Sequence, residues 1–368
     1  MGEDLLDMII EQAVDREASD VHLLCGCAPL IRASKELISL DTFNELTRED
    51  LESFAKKICN NDERIIGLFH KDRLLDINYK YNEARFRVNL SYSMDNPTIT
   101  MRLIKEILPV YDTLNLPPII REFTLKSQGL ILIVGKPGTG KSTTLSALVD
   151  EINEQDNKKI LMLESPVEFV HKNKNSVIVQ KEVGPFGDCK TYHDGVVNAL
   201  REDCDVLVVG EIRDKDTMDA TLEMAETGHL VLGTMHTNSC SETIDRIVNM
   251  YPKEDQLTVK FALSSVLKLV VSQRMFRGGY NNLVMVPEVL VIDDQISGMI
   301  RKENFNNVEV EDAMQSGREK GNLSLVFSLA EAVLDGKITM KQANKEVDFK
   351  RQELLARIVT AGRQRKYF

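Results

Sequence analysis

Eight consecutive residues, Gly135-Lys136-Pro137-Gly138-Thr139-Gly140-Lys141-Ser142, fit the spacing G-x-x-x-x-G-K-[ST]. Glycines so placed let backbone N–H groups turn inward around a β-phosphate, and a helix starting there adds the positive end of its dipole. On this reading Gly135, Pro137, Gly138, Thr139, Gly140 and Thr143 form the phosphate cradle, Lys141 reaches the β- and γ-phosphates, and the Ser142 hydroxyl ligates Mg²⁺. A second chemical element is Asp205 to Glu211, an apolar run ending in an acid. Gly210 stands where many P-loop NTPases carry Asp, so Glu211 is assigned to positioning or deprotonating the attacking water and meets Mg²⁺ only through water. Glu164-Ser165-Pro166-Val167-Glu168 supplies two further carboxylates, Glu164 and Glu168. Lastly, His229 and His236, two of six histidines, flank one short apolar run and read as γ-phosphate sensors or hydrogen-bonding links.

Each of these groups needs an element to hold it. Leu130 to Val134 is a short apolar run before the glycine-rich loop and Lys141 to Ile152 has helical spacing after it, so the loop joins a strand to a helix. Ile160 to Leu163, Val206 to Val209 and Leu230 to Thr234 repeat short apolar strands between helical stretches, which predicts a parallel α/β sheet with ligands at the carboxyl ends of its strands. After Tyr251-Pro252 the chain is expected to turn mostly helical, with helices at Glu254 to Lys268 and Ser324 to Leu334.

The first hundred residues read as a separate α+β module. Leu5 to Ala18 has helical spacing, Asp20 to Leu24 is strand-like, and Leu74 to Tyr79, Arg85 to Leu90 and Thr98 to Leu103 are extended stretches with partial alternation. Pro109, Pro117 and Pro118 mark Ile107 to Pro118 as a linker, so the expected domains are 1–110 and 111–368, the latter helical from about 252.

Composition bounds the function classes. The 368 residues are 43% hydrophobic and 28% charged, which suits a soluble globular chain of two or three domains. Lys plus Arg at 46 against Asp plus Glu at 57 leaves a net charge of −11, and Trp is absent, so nucleic-acid binding is disfavoured. The apolar runs are far shorter than the ~20 residues a membrane-spanning helix needs, and the acidic start Met1-Gly2-Glu3-Asp4 lacks the pattern of a secretory signal; a cytosolic protein is expected. Six cysteines with no C-x-x-C pair give no readable zinc ribbon or redox dithiol. Six basic residues between Phe349 and Phe368 fit a solvated helix end or, alternatively, an acidic partner.

The motifs together resemble the type IV pilus retraction ATPases, the PilT family of the secretion ATPase superfamily. The likeness rests on Ala18-Ser19-Asp20-Val21-His22-Leu23, Pro29-Leu30-Ile31-Arg32, Arg85-Phe86-Arg87-Val88-Asn89, the P-loop, Glu164 to His171, Leu200-Arg201-Glu202-Asp203, Val209-Gly210-Glu211-Ile212-Arg213-Asp214, Glu226 to Thr237, Ser272-Gln273-Arg274 and Met314-Gln315-Ser316-Gly317. It implies a PAS-like N-terminal domain, a RecA-like P-loop ATPase domain with a helical C-terminal appendage, and a ring of six chains. It also implies ATP and Mg²⁺ as cofactors, with Arg213 beside the nucleotide and Arg85, Arg87 or Arg102 closing over its phosphates. Implied partners are an inner-membrane pilus platform protein, the pilus base and, in some systems, a paralogous motor, at the inner face of the cytoplasmic membrane.

The sequence departs from the family where Ser165 replaces the usual Asp, where Lys136 replaces a small or hydroxyl residue, and after Pro287, where the match loosens. These departures keep open an accessory nucleotide-binding subunit with weak hydrolysis. An assembly ATPase for a pilus or competence system is also open, although such motors typically carry a four-cysteine metal site that is absent here.

Overall fold

Alternating apolar and polar residues in the first unit, 1–107, build an antiparallel sheet with one greasy face. A computed structural model describes residues 4–34, 36–104, 108–125, 128–279 and 282–365, with side chains to 363. Ile107, Lys366 and the side chain of Arg365, which belong to the expected linker and basic tail, lie outside the described residues. The elements of the first unit are α1 (Leu5–Asp15), β1 (Asp20–Leu24), β2 (Leu30–Ala33), β3 (Glu36–Ser39), α2 (Arg48–Ile58), α3 (Glu63–Asp72), β4 (Leu74–Tyr81), β5 (Ala84–Ser93) and β6 (Asn96–Ile104). The sheet order is β3-β2-β1-β6-β5-β4.

Val21, Leu23, Phe86, Val88, Leu90, Ile99 and Met101 join the apolar stripes of α1 (Leu6, Ile9, Ile10) and α2 (Leu51, Phe54, Ile58) in one buried cluster. The period of two sends their neighbours to the other face, where Asp20 pairs with Arg102 and Arg102 with Arg87 across the strands. A capping box starts α2: Thr47 accepts from the N–H of Asp50, whose carboxylate accepts from the N–H of Thr47.

The second unit, 108–368, holds α4 (Pro118–Thr124), β7 (Gly129–Val134), α5 (Lys141–Gln155), β8 (Lys159–Glu164), β9 (Val177–Glu182), α6 (Tyr192–Ala199), β10 (Val206–Val209), α7 (Lys215–Glu226), β11 (Leu230–Met235), α8 (Cys240–Val248), α9 (Gln256–Val266), β12 (Leu267–Arg277), β13 (Leu283–Val291), α10 (Asp294–Ile300), α11 (Asn307–Ser316), α12 (Leu325–Leu334), α13 (Met340–Asn344) and α14 (Phe349–Arg365). Its sheet runs β13-β12-β7-β11-β10-β8-β9, parallel throughout except for the β12/β13 pair. Every residue of β7, β10 and β11 is buried, because helices cover both faces, and hence these strands are continuous apolar runs rather than alternating ones.

The stretch expected to be mostly helical after Pro252 is only partly so. Helix α9 passes directly into β12 at Leu267, and β12 and β13 are two strands of the main sheet; a helical run begins at Asp294. Leu267 to Val271 continues the apolar sequence of α9 with no Gly or Pro between them, so periodicity alone does not separate strand from helix there.

Candidate active site

Parallel pairing brings four chain segments to one edge of the second sheet. Val134 lies beside Met235, and Val209 beside both Leu163 and Gly233, so the residues following β7, β8, β10 and β11 emerge together. They line a cavity of about 230 Å³ that includes Pro137, Gly138, Lys141, Ser142, Glu164, Glu168, Glu211 and His236. The loop reaches this shape through Gly135, Gly138 and Gly140, whose φ values of 147°, 78° and 89° disfavour any side chain. A Cβ on Gly135 would stand 2.6 Å from the Gln273 carbonyl oxygen, so the loop also packs too close to β12 for any residue but glycine.

Lys141 is buried, and its ammonium donates to the carbonyls of Gly135 (2.9 Å) and Lys136 (3.2 Å), with His236 Nδ1 at 3.3 Å. Burial lowers its pKa below the usual lysine value, against the pull of Glu211 and Glu168. Ser142 and Thr143 open the first turn of α5, and Gly140 is its N-cap. Thr139 turns its hydroxyl back to the Lys136 carbonyl at 2.9 Å, a contact that closes the loop on itself.

The two carboxylates at the strand ends are tuned in opposite directions. Glu211 is held by Arg213 Nη2 at 2.5 Å and His236 Nε2 at 3.0 Å. Burial alone would push its carboxyl up; Arg213, His236 and Lys141 outweigh burial and bring it below the ordinary glutamate value. Among the described residues no cation pairs with Glu164. Burial pushes its carboxyl up to about 7, with Gln180 Nε2 donating to it at 2.8 Å as a partial counterweight. Glu168 lines the same cavity from an exposed position.

Not every residue read from sequence gathers here. His229 precedes β11 and His236 follows it, so at ~3.3 Å per residue they stand at opposite edges of the sheet, about 20 Å apart. His229 Nδ1 lies 3.0 Å from the Met224 carbonyl and 3.1 Å from the Thr227 hydroxyl, so within this chain it braces the end of α7, the hydrogen-bonding link of the two roles read from sequence. Arg85, Arg87 and Arg102 belong to the polar face of the first unit's sheet. Arg102 is paired with Asp20 at 2.9 Å, and Arg85 and Arg87 are exposed.

Conversely, the site contains side chains that the motifs did not single out. Gln273 donates to the Thr144 hydroxyl at 2.6 Å, Ser146 Oγ is 3.1 Å from His171 Nε2, and Tyr192 stands in the cavity wall. Gln273 and His171 lay inside quoted motifs, but their partners are 129 and 25 residues away, a pairing that only the folded sheet reveals.

Comparison with known proteins agrees with this geometry. The family model for type II/IV secretion system proteins matches residues 70–345. The chain is 32% identical over 321 residues to a twitching motility protein of Neisseria gonorrhoeae, covering 87% of this chain and 84% of that one. It is also 32% identical over 334 residues to the type IV pilus retraction ATPase PilT of Pseudomonas aeruginosa, covering 89% and 94%. A solved structure of the pilus retraction motor PilT with bound ADP matches at a TM-score of 0.86 and 33% identity, over 95% of this chain and 98% of that one. A phosphate loop between β7 and α5, acids at the ends of β8 and β10, and a match that runs through both units have one reading: the chain belongs to the type II/IV secretion system protein family.

Proposed function

We propose that this chain is an ATP-hydrolysing motor that powers type IV pilus retraction, and that it works as a ring of six. The observation that carries the reading is the convergence of Lys141, Ser142, Glu164, Glu211 and His236 on one cavity at the strand ends of a fold shared with an ADP-bound pilus retraction motor. The loop amides and the N-terminus of α5 bind the phosphates, and Lys141 exchanges its carbonyl partners for phosphate oxygens. Arg213 stays beside Glu211, and Arg85, Arg87 or Arg102 supplies guanidinium charge to the phosphates, as the family resemblance implies.

Among the described residues no three His, Cys, Asp or Glu side chains form a metal cluster. The donor set suits a cation carried in on phosphate oxygens, with the Ser142 hydroxyl as its one protein ligand; bound there, Mg²⁺ neutralises charge on the β- and γ-phosphates. Glu211 holds the attacking water, and His236 ties that carboxylate to the Lys141 side of the loop. No helix among the described residues is long and apolar enough to cross a membrane. The motor docks on a membrane platform protein from the cytoplasmic side, as the family resemblance implies.

Glu211→Gln keeps the shape and removes the charge. Steady-state hydrolysis is expected to fall at least a hundredfold, while ADP affinity by calorimetry stays within about threefold. Turnover near that of the wild type in this variant would overturn the assignment of Glu211.

A further inference from the structure

Helix α6 places an aromatic residue over the ends of β8 and β10, and two glycines make the room for it. Gly195, one turn after Tyr192, lets α6 lie directly on β8: a Cβ there would stand 2.8 Å from both methyl carbons of Leu163. At Gly210 a Cβ would stand 2.7 Å from the Leu163 carbonyl oxygen, 3.1 Å from the Tyr192 hydroxyl and 3.3 Å from the Glu164 Cα, so the close strand pairing already demands a glycine and the phenol oxygen fills the space it leaves. The phenol oxygen therefore occupies the place toward which a side chain at position 210 would project, between the strand ends that carry Glu164 and Glu211. It lines the cavity, and no described residue hydrogen-bonds to it.

We propose that the Tyr192 hydroxyl positions the attacking water, donating its hydrogen to the water lone pair that takes no part in the attack while a strand-end carboxylate accepts one of the water's protons. In the step so arranged, the water oxygen bonds to the γ-phosphorus and the bond to the β,γ-bridging oxygen breaks. ADP leaves with that electron pair, and the water's proton passes through the carboxylate to the products. Tyr192 ends the step as it began, a neutral donor. Its surroundings keep it so: burial first, then the charges of Glu211 and Glu164, push the phenol well above the usual tyrosine range. A donor fixed at this point supplies with a neutral hydroxyl part of the polar surface lost where Gly210 replaces an aspartate.

The inference rests on the reading of the cavity as a hydrolysis site, and the test separates the two. Steady-state ATP hydrolysis, ADP calorimetry and thermal unfolding are measured on the full chain for Tyr192→Phe, Tyr192→Leu and Glu211→Gln. Removing one oxygen in Tyr192→Phe is expected to lower kcat roughly ten- to a hundredfold, with KM for ATP and ADP affinity within twofold and the melting temperature unchanged. Tyr192→Leu, which also loses the ring, is expected to unfold at lower temperature. Wild-type kcat in Tyr192→Phe beside an inactive Glu211→Gln overturns the role of the tyrosine alone. A kcat loss in Tyr192→Phe matched by equal losses in ADP affinity and melting temperature also overturns it, by reducing the residue to packing. Full turnover in Glu211→Gln overturns the underlying assignment of the carboxylate instead.

Discussion

Gln180 ties together two residues with titratable side chains: its amide donates to the Glu164 carboxylate, and its carbonyl accepts from the backbone N–H of His171 at 2.9 Å. Burial acts on the two in opposite senses, raising Glu164 to about 7 and lowering His171 to about 4. Between pH 4.5 and 7 the folded state holds the Glu164 proton more tightly than the unfolded chain does, so this residue makes stability fall as pH rises. For His171 the unfolded chain binds the extra proton between pH 4 and 6.5, so its contribution rises with pH and offsets the first. Glu164→Gln removes one side of that balance. Urea unfolding across pH 4.5 to 7 is expected to show the variant gaining stability relative to wild type by on the order of 2 kcal/mol, and a flat difference would refute the raised carboxyl.

At the scale of elements, the middle of β12 joins three parts of the second unit. Gln273 reaches the P-loop helix, Ser272 and Arg274 both donate to the Asn238 carbonyl after β11, and Arg274 also pairs with Glu346 beyond α13 at 3.1 Å. Glu288, fully enclosed on β13, is pushed up by burial and drawn back down first of all by Arg274. Deleting that guanidinium strands an acid as well as an ion pair, so Arg274→Ala is expected to cost about 3 kcal/mol of unfolding free energy in urea. Less than about 1 kcal/mol would mean that the ties are cosmetic.

The same strand marks where sequence reading stopped. β7, β10 and β11 were legible because short apolar runs stood between polar or glycine-bearing stretches, and the P-loop because its glycines and lysine have a fixed spacing. β12 was not, since it begins without a break from α9. Glu211, Glu164 and His236 could be named from motifs, whereas the separation of His229 from them required the strand direction. Tyr192 carried no motif signal, its role depending on two glycines at positions 195 and 210 that read as ordinary residues in a linear chain.

For the whole molecule, a net charge of −11 coexists with a phosphate cradle and an arginine-bearing sheet in the first unit. Arg87 and Arg102 face each other across β5 and β6, and like charges directly opposite one another destabilise a sheet slightly. Arg102 is held by Asp20, whereas Arg87 is exposed on the same polar face, a placement that leaves its charge available to an anion outside the sheet. Arg87→Ala is therefore expected to leave the melting temperature unchanged or slightly higher while cutting ATP turnover at least tenfold. In light scattering that turnover is expected to travel with a species of about six times the 41.6 kDa protomer, as the proposed ring requires. Undiminished turnover in that variant would remove Arg87 from the mechanism.

The ties in the middle of β12 also bear on how this chain tolerates changes of length. Gln273 serves one face of the strand while Ser272 and Arg274 serve the other. A single residue inserted between Leu267 and Ser272 would turn all three side chains over, aiming the glutamine at Asn238 and the arginine at the P-loop helix. An insertion within this strand is thus ruinous, which makes β12 the ruler against which the nucleotide pocket and the C-terminal helices are both measured.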